Sequence, residues 1–91
     1  MKVRARLRIH GKVQGVYFRH NTKSVADSHN VKGWVRNLPD GSVEAVLEGE
    51  QEDVTQVIEW CKVGPPAARV IKVEVEYGQY RGEFESFDII Q

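Results

Sequence analysis

Cysteine is nearly missing from this chain. Cys61 is the only one, so no internal disulfide can form, and a metal carrier's paired soft ligands are not available. Long apolar runs are missing too: nothing approaches membrane-spanning length, and the N-terminus does not resemble a signal peptide. These absences predict a soluble protein in a reducing, cytoplasmic compartment. The three histidines, His10, His20 and His29, are scattered and form no tight ligand cluster. No Ser–His–Asp or Cys–His constellation can be recognised.

What is present fits an ordinary globular protein. A length of 91 residues allows one domain, residues 1–91, with one modest core. Net charge is zero but unevenly spread. Residues 1–40 hold nine Lys and Arg against Asp27 and Asp40; residues 41–91 hold four against eleven acids. A basic half can attract an anion, but the simpler expectation is that the halves pair in the fold and cancel.

The stretch from Ile9 to Arg19 is the most informative. Ahead of it, Val3, Ala5, Leu7 and Ile9 alternate with charged residues, the period of a half-buried strand. After it, Phe18, Thr22, Val25, Ala26 and His29 share a helical face that Asn30 can end. Between them, Gly11 and Gly15 relax the backbone, so successive N–H groups can converge on one point. The helix N-terminus aims its free donors the same way, and Arg19 adds a planar charged fork suited to phosphate. Glycines that serve only a turn are the plainer alternative. Two familiar phosphate loops are excluded: Val16-Tyr17 follows Gly15 where a P-loop needs Lys-Ser/Thr, and a dinucleotide fingerprint needs a third glycine.

The remaining elements follow from period and punctuation. Val31 to Asn37 reads as a strand, Leu38-Pro39-Asp40-Gly41 as a turn, and Val43 to Gly49 as the returning strand of a hairpin. Val54, Val57, Ile58 and Cys61 form the stripe of a second helix, which Gly64-Pro65-Pro66 stops. Ile71 to Tyr77 alternates as a fourth strand, and Phe87 and Ile89 read as a short closing one. This order predicts an α+β, ferredoxin-like βαββαβ sandwich: two helices on one face of an antiparallel sheet, plus a short extra C-terminal strand. Arg4, Arg6 and Arg8 would line the open face, with Glu44, Glu48, Glu74 or Glu76 as cross-strand partners. If the strand ending at Asn37 lies beside the first strand, its end overhangs the Gly11–Arg19 loop.

Such a fold hosts enzymes, RNA binders and metal carriers alike. An RNA binder needs strand aromatics that stack bases; the stretch from Lys32 to Pro39 lacks them except for Trp34, which reads better as core. Two stretches are more specific. Gly33-Trp34-Val35-Arg36-Asn37, followed by Gly41-Ser42-Val43 and Gly49, resembles one signature of the acylphosphatase family. Ile9, Gly11, Val13-Gln14-Gly15-Val16, Phe18 and Arg19 resemble the other. Gly64-Pro65-Pro66 and Ala68-Arg69-Val70 look like bacterial and archaeal members, and the likeness runs from about residue 3 to residue 90.

The resemblance implies a small hydrolase that cleaves the carboxyl–phosphate bond of acyl phosphates without metal or cofactor. By residue, it implies that Arg19 binds the phosphate and Asn37 holds the attacking water. Backbone N–H groups of Gln14, Gly15, Val16, Tyr17 and Phe18 would form the cradle. Inorganic phosphate would be product and inhibitor, and the protein a monomer acting on a small molecule, with no nucleic acid or membrane partner. Tyr17 stands where many relatives have Gly or Cys and is expected to narrow or cap the pocket. Leu38 stands where vertebrate members carry Thr, so hydroxyl support of Asn37 is absent. Two other readings remain: an acylphosphatase-like domain of a larger carbamoyl-transfer protein, against which a chain of 91 residues starting at Met1 argues, and a non-catalytic anion-binding module.

Overall fold

The computed structural model describes residues 1–91. The elements run β1 (Lys2–Lys12), α1 (Phe18–Ser28), β2 (Lys32–Asn37), β3 (Val43–Glu50), α2 (Gln51–Val63), β4 (Arg69–Gly78) and β5 (Phe87–Ile89). They match the order and type expected from period and turn chemistry. The strands form one sheet in the order β4-β1-β3-β2-β5.

Strand alternation decides what the sheet buries. Ala5, Leu7, Ile9, Val35, Val43, Ala45 and Leu47 point to the helical side and meet Phe18, Ala26, Val54, Val57 and Cys61 in one core. The other face has no second layer, yet Glu44, Val46 and Glu48 of the central β3 are buried there. Long side chains cover them. Arg4 bonds Glu48 at 2.9 Å, and Arg36 meets Glu44 at 2.7 Å, with Arg6 farther off at 3.7 Å. The basic and acidic halves therefore do pair, although not always as register alone suggests. Glu76 lies opposite Arg6, and Glu74 opposite Arg8. Arg8 instead reaches Asp40 at 3.7 Å, and Glu74 meets His10 at 2.6 Å.

Three expectations need correction. First, β2 does not lie beside β1; β3 separates them, because the tight Leu38–Gly41 turn makes β2 and β3 partners and leaves β1 on β3's other edge. Second, the sheet is mixed, since β5 runs parallel to β2 with Val35 opposite Ile89. Third, Trp34 is not core. It sits half-buried on the open face with the Arg36 guanidinium 5.2 Å from its ring.

Candidate active site

The loop between β1 and α1 starts from a bulge. Register between β1 and β4 shifts at His10/Gly11, where Gly11 has φ 128° and a Cβ would lie 2.1 Å from the Arg69 carbonyl oxygen. Beyond it, Val13, Val16 and Phe18 drop into the core, and Phe18 tilts against Trp60 with ring centroids 5.4 Å apart. Those anchors leave Gly15 and Tyr17 facing outward. Both have positive φ, 72° and 63°, while Gln14, Val16 and Phe18 do not. Such alternation in sign forms a nest whose successive N–H groups face one concavity, which suits an anion.

The donors in this nest are free. Among the backbone hydrogen bonds of turns, loops and caps, no donor falls between Gln14 and His20. Tyr17 occupies the N-cap of α1 without a side-chain cap bond, and no acid sits in the first turn. The positive end of the helix is thus uncompensated. Tyr17 does not close the concavity, being 78% exposed at the rim.

Arg19 follows in the first turn of α1, half-buried. Every ion pair of Arg4, Arg6, Arg8 and Arg36 engages a carboxylate, whereas Arg19 forms no ion pair. It lines a cleft of about 450 Å³ with Val13, Gly15, Tyr17, Phe18, His20, Asn37 and Ile89. A similar hollow of about 430 Å³ on the open face is walled by Arg6, Arg8, Glu44, Glu74 and Glu76. Its three carboxylates outnumber its two guanidinium groups, so it does not favour an anion.

Asn37 closes the far side of the first cleft. It ends β2 opposite Val43, just before the turn in which Leu38 N–H donates to Ser42 O at 2.9 Å and Gly41 N–H to Leu38 O at 3.1 Å. Its Oδ1 is buried and accepts no hydrogen bond from the protein. Such an oxygen costs about 1–3 kcal/mol unless a bound molecule meets it. The structure brings all the expected site residues to this cleft or its loop: Arg19, Asn37, and the backbone from Gln14 to Phe18. Ile89 and His20 were not expected there. Ile89 arrives through the parallel pairing of β5, a long-range event with no local signal. His20 is exposed, and its place directly after Arg19 was the available clue. No group of three or more His, Cys, Asp and Glu side chains is arranged to hold a metal ion. No helix is long and apolar enough to cross a membrane.

A ferredoxin-like sheet, a backbone nest at a helix N-terminus and an unpaired arginine define a small α+β protein with a cleft whose chemistry suits an anion. The acylphosphatase family model matches residues 5–89. An acylphosphatase of Pyrobaculum islandicum is 58% identical over 89 residues, covering 97% of this chain and 94% of that protein. One from Geotalea uraniireducens is 53% identical, covering 98% of each. The crystal structure of acylphosphatase from Bacillus subtilis superposes with a TM-score of 0.94 at 31% identity, covering 98% of this chain and 99% of that one. The chain belongs to the acylphosphatase family and is an enzyme of that kind.

Proposed function

We propose that the chain hydrolyses the carboxyl–phosphate bond of acyl phosphates, and that Arg19 and Asn37 carry the step. The observation behind this reading is that Asn37, whose amide oxygen has no partner in the protein, shares one cleft with Arg19 and the donor-rich loop. The free N–H groups of Gln14 to Phe18 and the Arg19 fork hold the phosphoryl oxygens, where charge-assisted bonds are strongest. The Asn37 amide can both accept from and donate to a water in the cleft, so it orients the water without deprotonating it.

The water oxygen then bonds to phosphorus. The bond from phosphorus to the acyl oxygen breaks, and its electron pair departs with the carboxylate. That leaving group needs no general acid. The water's proton passes to an oxygen of the substrate's own phosphate, giving carboxylate and inorganic phosphate. Catalysis here rests on placement and charge, not on a strong base. The same reading makes the protein a cytoplasmic monomer, one acylphosphatase-like domain acting on small molecules without cofactor, membrane or nucleic acid. The single buried thiol of Cys61 supports a reducing location.

The test is phosphate release from a synthetic acyl phosphate such as benzoyl phosphate, with and without saturating EDTA. Equal release in both is expected. No release, or release that stops with chelator and returns with Mg²⁺ or Zn²⁺, would overturn the reading.

A further inference from the structure

Gln14 belongs to the cradle loop, but its side chain leaves the loop and crosses to the β2–β3 turn. Nε2 donates to Leu38 O at 2.8 Å and to Ser42 O at 2.9 Å. Those two carbonyls are the ones that close the turn, each already accepting a backbone N–H. Leu38 directly follows Asn37. Since β3 stands between β1 and β2, strand register fixes Asn37 against Val43 but does not fix it against the loop.

From this geometry we propose that Gln14 is a positioning residue. Its side-chain amide sets the span between the anion cradle and the Asn37 amide, and so the line along which water meets phosphorus. The inference deepens the acyl phosphate reading and rests on it. Neither neighbour needs Gln14 for its own shape. The loop is seated by Val13, Val16 and Phe18 in the core. The turn is closed by its backbone bonds and by Asp40 Oδ1, which accepts the Ser42 N–H at 2.9 Å. What Gln14 adds is the distance between them. In-line attack is sensitive to that distance, and a 1 Å misplacement can cost on the order of 10²-fold in rate.

Gln14→Met keeps the length and removes both donors. Gln14→Glu keeps the shape but sets an acceptor-only carboxylate against two carbonyl oxygens. Benzoyl phosphate kinetics, the inhibition constant of inorganic phosphate and the melting temperature are measured for wild type, both Gln14 variants and Asn37→Ala. With Gln14→Met, kcat should fall ~10–100-fold while phosphate inhibition shifts by less than ~3-fold, a loss confined to the transition state. Gln14→Glu should lose at least as much, and it carries the comparison if Gln14→Met does not fold. A lower melting temperature with wild-type kcat would make Gln14 only a brace of the turn and overturn the proposal. Phosphate inhibition weakening in step with kcat would overturn it too, placing the side chain in the cradle. An inert wild type or a fully active Asn37→Ala removes the functional reading and this inference together. An inert Asn37→Ala beside an active Gln14→Met removes the inference alone.

Discussion

At Arg19 a permanent charge faces a cleft with no carboxylate to answer it, and at Asn37 a buried oxygen has no donor. Each makes a separable prediction. Arg19→Ala should weaken phosphate inhibition and turnover together, with kcat down by on the order of 10²–10³, the usual cost of losing one preorganised donor. Arg19→Lys should recover little, because an ammonium lacks the planar fork; a fully active lysine variant would show that charge alone matters. Asn37→Ala should abolish turnover and leave phosphate inhibition nearly unchanged, because the cradle and Arg19 remain. Asn37→Asp should fail as well, since a carboxylate repels the phosphoryl group and has no N–H to donate. Were Asn37 only the start of a turn, Asn37→Ala would cost about 1 kcal/mol of stability and spare kcat per folded molecule. Cys61 belongs to the other extreme of reactivity. Burial pushes its thiol up to about 12, against a small opposing hydrogen bond with Thr22. The native chain should therefore resist thiol reagents at neutral pH and react only on unfolding, which a timed labelling assay in rising denaturant would check.

At the scale of elements, local chemistry and long-range pairing separate cleanly. The β1 alternation, the Phe18–Ala26 helical face and the Leu38–Gly41 turn could all be read from neighbouring residues, so the element order and the two stretches that meet at the cleft were legible. Trp34 departs from the core reading because of its period: Gly33 and Val35 face inward, so Trp34 must face out. Neither the partner of β2 nor the direction of β5 has any local trace. Nor does the bond from Gln14 to the β2–β3 turn, which needs the folded chain to bring residues 14 and 38 together. The segment between β4 and β5 shows how such a connection is held. It spans four strand spacings, about 19 Å, and eight residues reach about 27 Å when extended. Glu48 pins its path, accepting the Arg81 N–H at 2.9 Å and the Gly82 N–H at 3.1 Å while Arg4 bridges Glu48 and Glu83. Glu48→Ala strips three donors of their acceptor inside a nearly buried pair. It should cost about 3 kcal/mol, read as a shift in the urea midpoint.

For the molecule as a whole, the uneven charge of the sequence becomes a pattern of acids held ionised. Burial alone would raise the Glu48 carboxyl, but the Arg81 N–H and the hydrogen bond and charge of Arg4 outweigh it and hold it below the ordinary glutamate value. Asp40 is lowered by the Ser42 hydroxyl and N–H, and Glu74 by its hydrogen bond to His10 and the charge of Lys72. All three shifts have the same sign, and linkage then fixes the direction of the pH effect. A carboxyl with a depressed folded value adds stability that is complete above its unfolded pKa, about 4. That stability is lost as pH falls through the lower folded value, where the folded state must finally take up a proton. Melting temperature should therefore be level from neutral pH down to about 5 and drop steeply below about 4. Asp40 and Glu74 are exposed, and solvent screens their share, so most of the drop belongs to Glu48. Glu48→Gln keeps an acceptor for the loop N–H groups but no longer titrates. It should start below wild type at neutral pH and fall less on acidification, so that the two curves converge as pH falls. Parallel curves would mean that Glu48 does not set the acid limit of this fold.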